Sequence, residues 1–337
     1  CLLSRGLGDV YKRQCYNKEK EAKSMNFGII GFGNIARKFV KSIEYTDEGK
    51  IYAIASHSLT SDDEYVKAHP EVKIYQDYDE LLQDRELDAV YIALPHKYHK
   101  EWILKALDNH IAVLSEKPMV LTVADIEEIK TKVYTEKGYC LEALKTKFNI
   151  GLEHLKQDLS LIGKIKQIEA NFCFDATAHQ TTSYLFNVDQ GGALNDVGSY
   201  LLGFVLALVD SDIKNVNSQI DIVAGVEWYF KAKINFNNEC TAIVEGAIDR
   251  NKERLAIIEG EFGKIEIPMF NRIIDYKIIK NDGTVVERNY PIIGDDMTME
   301  IQCFIDDVRA HKTESALHSL EDTKRILELT EIIREAN

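Results

Sequence analysis

A strand that runs straight into a glycine turn constrains this chain more than any other feature. The segment NFGIIGFGNIA, residues 26 to 36, ends in a GxGxxA pattern made by Gly31, Gly33 and Ala36. In a strand-turn-helix crossover the first glycine takes the tight turn, and the second leaves bare backbone for a pyrophosphate. The third small residue lets the helix close on the strand. The helix N-terminus adds unpaired N–H groups and the positive end of the helix dipole. Taken alone, the pattern also describes an ordinary glycine turn. Its place after the first strong strand, and ahead of the helical run ARKFVKSIEYT, favours a bound dinucleotide. The residues expected against that ligand are Gly31, Phe32, Gly33, Asn34 and Ile35.

From Met25 to about residue 123, apolar strand runs (FGIIG, IYAIAS, AVYIALP, IAVLSE) alternate with helical stretches such as YDELLQD and HKEWILKALDNH. Such alternation predicts a doubly wound parallel sheet with its ligand at the carboxyl ends of the strands. Unusual residues stand at those ends. Ser56, His57 and Ser58 follow the second strand, Leu94, Pro95 and His96 follow the next, and Glu116, Lys117 and Pro118 follow IAVLS.

Beyond about residue 145 the rhythm changes to successive strands with short turns, Asn237-Asn238 and Asn281-Asp282-Gly283 among them. This predicts an antiparallel sheet. A helix around ALNDVGSYLLGFVLALV should cover one face, and two amphipathic helices, MEIQCFIDDVRAH and SLEDTKRILELTEIIREA, should close the chain. The fold class expected is therefore α/β plus α+β: a dinucleotide-binding domain at 25–123, a substrate and oligomerisation domain at 124–295, and C-terminal helices at 296–337 that pack back on the body. Residues 1–24 lack periodicity and a cleavage-site pattern, and Met25 reads as the natural start. That stretch is expected to be a non-native or disordered extension.

Two constellations could carry chemistry. Lys117 ends a buried strand next to a proline that terminates it. Taken with Glu116 and Pro118 alone it would read as a surface lysine; at the end of a dinucleotide-binding strand its ammonium would point toward the reacting centre. In GGALNDVGSY, Asp196 and Tyr200 stand four apart, which would place both on one helical face. A phenol titrates near ~10, so a nearby cation such as Lys117 is needed to support proton transfer at neutral pH.

GIIGFGNIA, ALPHKYH, SEKP and GGALNDVGSY, in this order and at these separations, resemble the Gfo/Idh/MocA family of nicotinamide-dependent oxidoreductases, and EGEFGKIEIP resembles a recurrent strand-turn-strand of that family. The resemblance covers nearly everything after Met25. It implies an N-terminal Rossmann domain and a C-terminal domain with a large, open, mostly antiparallel sheet. It also implies catalytic roles for Lys117, Asp196 and Tyr200. A tyrosine at the last position is similar to the glucose-fructose oxidoreductase and dihydrodiol dehydrogenase branch. Gln190 stands where the family's first glycine of a triple usually does, and His96 where an asparagine is common. His99 matches a recurring histidine, for which cofactor contact and helix-start or packing roles stay open.

The cofactor implied is NADP or NAD. Ser56 and His57 can donate to a 2′-phosphate, and no carboxylate follows the second strand before Asp62, which favours NADP. The expected substrate is a small sugar, polyol or trans-dihydrodiol. Phe148, Phe172, Phe174 and Trp228 could line its pocket. Two other readings share the scaffold: a redox-assisted NAD-dependent glycoside hydrolase and a non-catalytic nucleotide-binding regulator. The net charge of -14 disfavours nucleic acid and anionic membrane as partners. The longest apolar run, residues 200–209, is too short to span a bilayer. Six scattered cysteines lack metal-ligand spacing, so no metal is expected and a reduced, cytoplasmic chain is. An open sheet face also needs a cover, so a homodimer or homotetramer is expected.

Overall fold

The computed structural model describes residues 24–46 and 48–337. The expectation for the upstream extension lies outside these residues, apart from Ser24. The first domain is built on six parallel strands: β1 (Met25–Ile30), β2 (Gly49–Ala55), β3 (Lys73–Tyr75), β4 (Ala89–Ile92), β5 (Ala112–Glu116) and β6 (Cys140–Ala143). They are ordered β3-β2-β1-β4-β5-β6. Every residue of β1 is buried because helices cover both faces of the sheet. Its side chains alternate between two cores. Phe27 and Ile29 pack with Phe39, Tyr91 and Phe304, while Ile30 packs with Val90, Ile103 and Ile126.

The parallel sheet continues past the boundary expected at residue 123. Helix Val123–Glu136 is a crossover within this domain, and it delivers β6 alongside β5. The sequence hid β3 and β6 because each is only three or four residues long, and β6 carries a glutamate, Glu142, inside it. That carboxylate is fully enclosed. It accepts from the backbone N–H of Met119 (2.9 Å), Nε2 of His318 (2.7 Å) and Oγ1 of Thr323 (2.9 Å).

The second sheet has eight strands: β7 (Ile165–Cys173), β8 (Ile213–Val223), β9 (Val226–Phe236), β10 (Thr241–Ala247), β11 (Leu255–Gly260), β12 (Gly263–Pro268), β13 (Asp275–Lys280) and β14 (Val285–Asn289). Their order is β14-β13-β12-β11-β7-β10-β9-β8, antiparallel except for the β7–β10 pair. One face is apolar. On β9, Phe230, Ala232, Ile234 and Phe236 are buried while Lys231 and Lys233 are exposed between them. The buried face is covered by helices Gly198–Leu208 and Leu320–Glu335, and a reciprocal Ser319–Asp322 capping box starts the latter. The helix expected across 193–209 breaks at Val197 into Ala193–Asp196 and Gly198–Leu208.

Helix Thr298–Arg309 returns to the first domain and places Ile301, Phe304 and Ile305 in its core, with Phe304 5.5 Å from Phe27 between ring centroids. Among the described residues no helix is long and apolar enough to cross a membrane. Replacing Phe304 with Ala should cost about 3–5 kcal/mol of unfolding free energy. In urea denaturation the transition should move for the first domain, although the mutated residue lies near the end of the chain.

Candidate active site

The glycine loop supplies an open cradle. Gly31 takes φ +87°, and a Cβ there would come within 2.7 Å of the Ala93 carbonyl oxygen, so only glycine fits the turn. At Gly33 a Cβ would meet nothing within 4 Å. Packing therefore does not demand glycine there, whereas an approaching ligand does. Helix Asn34–Ser42 starts with no side-chain cap. Its first N–H groups point into the same opening, which suits a pyrophosphate. Phe32 closes one side, with its ring under the Arg37 guanidinium at 4.6 Å.

From this loop a cavity of about 220 Å³ extends along the carboxyl ends of β4, β5 and β6. The first domain lines it with Ile35, Leu94, His96, Glu116, Lys117, Ala143 and Lys145. The second sheet's domain contributes Tyr184 and Tyr200, and the returning segment contributes Met297 and Glu300. In a sheet of this order the adenosine half lies over β2 and β3, so this cavity lies on the nicotinamide half.

Lys117, Asp196 and Tyr200 converge here. The Lys117 ammonium donates to Asp196 Oδ1 at 2.7 Å and to the Asp196 backbone carbonyl at 3.0 Å, and it stands 4.9 Å from the Tyr200 ring centroid. Burial opposes the charge on Lys117, but Asp196 outweighs it and the pKa moves up; burial likewise works against the Asp196 carboxylate, and Lys117 reverses it and moves that pKa down. Asp196 thus serves Lys117 and makes no hydrogen bond to Tyr200. Burial raises the Tyr200 phenol above its ordinary value, and Glu116 and Asp196 add to this. The opposing effect of Lys117 is too small to reverse it. The phenol keeps its proton, with Lys117 acting to ease its loss.

His96 is buried, and its Nδ1 lies 3.0 Å from the Gln190 carbonyl oxygen. That carbonyl fixes the proton on Nδ1, so the buried, unpartnered Nε2 is an acceptor. Burial, with the Lys117 charge beside it, pushes its pKa down to about 3. His96 therefore meets a ligand as a neutral ring. Pro95 caps the short turn that carries it.

Other expected residues lie outside the cavity. His99 does not reach the cavity. It is fully buried, with Nδ1 2.9 Å from the Pro118 carbonyl oxygen and Nε2 2.7 Å from that of Leu94; the ring packs between the two loops that bear His96 and Lys117 and, when neutral, donates to one of the two carbonyls. Ser56 and His57 stand at the end of β2, away from the cavity. Ser56 Oγ is 3.4 Å from Ser58 Oγ, and His57 Nδ1 meets the Gln76 carbonyl at 2.8 Å. Nearby Asp63 is held by Arg37. Phe148, Phe172, Phe174 and Trp228 do not line the cavity. Phe148 is core, Phe172 backs the Tyr200 ring at 5.6 Å, Phe174 packs on the sheet, and Trp228 packs on Phe186.

Sequence reasoning missed Tyr184, Lys145, Met297 and Glu300. Lys145 follows β6, the strand whose brevity concealed it. Glu300 lies four residues before Phe304 on the buried face of its helix, and an acid on that apolar stripe was the available signal. Among the described residues no cluster of metal-ligating side chains occurs, and Cys140, Cys173, Cys240 and Cys303 are free thiols.

Comparison with known proteins agrees with this fold. A family model for GFO_IDH_MocA, an oxidoreductase family with an NAD-binding Rossmann fold, matches residues 25–142, and the GFO/IDH/MocA C-terminal domain model matches residues 158–266. The scyllo-inositol 2-dehydrogenase (NADP(+)) IolU of Bacillus subtilis is 26% identical over 320 residues, spanning 93% of this chain and 96% of that protein. The trans-1,2-dihydrobenzene-1,2-diol dehydrogenase of Mus musculus is 27% identical over 293 residues, 79% of this chain and 87% of its own. Among solved structures, the 3-ketoreductase KijD10 of Actinomadura kijaniata, in complex with NADP and TDP-benzene, superposes with a TM-score of 0.84 at 20% identity, covering 93% of this chain and 98% of that one. The aldose-aldose oxidoreductase of Caulobacter crescentus gives 0.83 at 17% identity, covering 93% and 97%.

The ion pair makes a stability prediction. Removing one partner leaves a buried charge uncompensated, so Asp196→Asn should cost about 3 kcal/mol, and adding Lys117→Met should restore most of it. The depressed Asp196 contributes above its unfolded value near ~4 and is lost as pH falls through the folded value. The raised Lys117 contributes below ~10 and is lost as pH rises through its folded value. The difference between wild type and Asp196→Asn should therefore be flat from about pH 5 to about pH 9 in denaturant titrations.

Proposed function

The chain belongs to the GFO/IDH/MocA family of NAD(P)-dependent oxidoreductases, and on that premise we propose that it interconverts a secondary alcohol and a carbonyl on a small polyhydroxy ring compound. The substrate is a sugar, cyclic polyol or trans-dihydrodiol, with Tyr200 as the proton donor in the reducing direction. The observation that carries this reading is the Lys117–Asp196–Tyr200 cluster at the nicotinamide half of the cavity. Relatives named as scyllo-inositol and dihydrodiol dehydrogenases support the substrate class.

The dinucleotide, when bound, supplies or removes the hydride. The chain's own groups handle the proton and the charge. Tyr200 keeps its proton until an oxygen beside it develops negative charge, and then donates it. The Lys117 cation, fixed by Asp196, stabilises that charge where water is excluded. His96 Nε2 offers an acceptor for a hydroxyl of the ligand. NADP is the preferred form. Ser56 presents a hydroxyl at the end of β2, the nearby Asp63 is neutralised by Arg37, and IolU is named as an NADP(+) enzyme.

Tyr200→Phe should lower kcat roughly 10²- to 10⁴-fold. Its affinity for NADPH, read by fluorescence titration, should stay near that of wild type. Lys117→Met should lower kcat as well; unchanged turnover in either variant removes that residue from the mechanism. A reduction screen with NADP and NAD against inositols, aldoses and trans-dihydrodiols decides the class. Net cofactor reduction is expected, whereas hydrolysis of a glycoside without net reduction would favour the redox-assisted hydrolase.

A further inference from the structure

Glu300 is 1% exposed and forms part of the cavity wall, yet its Oε2 has no hydrogen-bond partner. A buried polar atom left without a partner costs about 1–3 kcal/mol, so a persistent one calls for a partner that binds later. The charged groups around it do not fill that role. Lys145 is taken by Asp296 at 2.6 Å, Lys38 pairs with the same carboxylate, and Glu300 forms no ion pair among the described residues. Glu116, in the same cavity, already accepts from the Tyr91 hydroxyl and from the Lys117 backbone N–H. Tyr91 and Tyr200 also interact with Glu300. Two neighbouring buried carboxyls cannot both ionise cheaply, and burial reinforced by Glu116 places the proton on Glu300.

A neutral carboxylic acid presents one O–H donor and one carbonyl acceptor side by side. The group that matches it atom for atom is a primary carboxamide, whose N–H enters the acid's carbonyl while its own carbonyl takes the acid's O–H. Glu300 lines the cavity together with Met297 and Ala143, on the nicotinamide half of the sheet. On the dinucleotide, the nicotinamide ring carries the primary carboxamide. We propose that Glu300 recognises that carboxamide through a two-hydrogen-bond acid–amide pair, and so sets the rotation of the ring in the cavity. This rests on the dinucleotide-dependent reading above.

The test is calorimetric binding of NADP and NAD against their 3-acetylpyridine analogues, in which a methyl ketone keeps the acceptor but loses both N–H donors. The wild-type chain should bind the analogue several-fold to about tenfold more weakly, the range of one hydrogen bond. Glu300→Gln offers the same donor and acceptor and should keep that preference. Glu300→Met should bring the ratio to about one, with thermal unfolding checking that the variant is folded. A wild-type ratio near one overturns the proposal, as does a folded Glu300→Met that keeps the wild-type ratio. Should Glu300→Met fail to fold, the wild-type ratio and Glu300→Gln still decide. Failure of the unmodified chain to bind either natural dinucleotide would overturn the reading beneath it and this proposal together.

Discussion

The ion pair between Lys117 and Asp196 joins the two halves of the molecule at the wall of the cavity. Lys117 ends the fifth strand of the parallel sheet, and Asp196 ends a one-turn helix of the other domain. Both side chains are largely removed from water, 12% and 14% exposed. Separating them would strand a charge in a poorly solvated site, so the domains are held in one mutual arrangement. That arrangement sets the Tyr200 ring against the ammonium and closes the cavity. The shape of the cavity and the interdomain geometry are thus one constraint.

The loop bearing Lys117 is itself over-determined. His99 packs against the Pro118 carbonyl, Glu142 takes the Met119 N–H, and Glu142 in turn collects His318 and Thr323 from the chain's last segment. On the opposite wall, Asp296 gathers Lys38 and Lys145, linking the helix of the glycine loop to the cavity. Burial works against its charge, and the two lysines overcome this, lowering Asp296 to about 2. A site with several tied walls loses little entropy when a ligand arrives.

Much of this was legible in the sequence, for physical reasons. Strands buried on both faces, such as β1 and β4, read as unbroken apolar runs, and an alternating strand such as β9 reads from its period of two. Residues after strand ends could be picked out because topology puts ligands there, which is how Lys117 and His96 were found. The edge strand β8 escaped because its alternation is polar, with Lys214, Asn215, Asn217 and Gln219 facing out. Tyr184 escaped because it lies in an aperiodic loop whose path is set only by tertiary contacts. For His99 both a cofactor contact and a packing role stayed open, since the letters cannot tell a group that touches a ligand from one that props the residue that does, and the structure buries it against the Pro118 and Leu94 carbonyls. The predicted helical face shared by Asp196 and Tyr200 is interrupted at Val197, yet the two still meet around Lys117.

Helix Thr298–Arg309 belongs to the parallel sheet's core although almost the whole second domain precedes it in sequence. The ring stack of Phe39 on Tyr91 and the contact of Phe27 with Phe304 therefore form a single apolar unit assembled from both ends of the described chain. During synthesis the nucleotide-binding half must wait, with this face uncovered, until the ribosome has delivered the last helices. Such late closure raises contact order and slows assembly. It also means that cutting the gene between the two sheets would yield two incomplete bodies, each lacking a piece the other half of the message encodes.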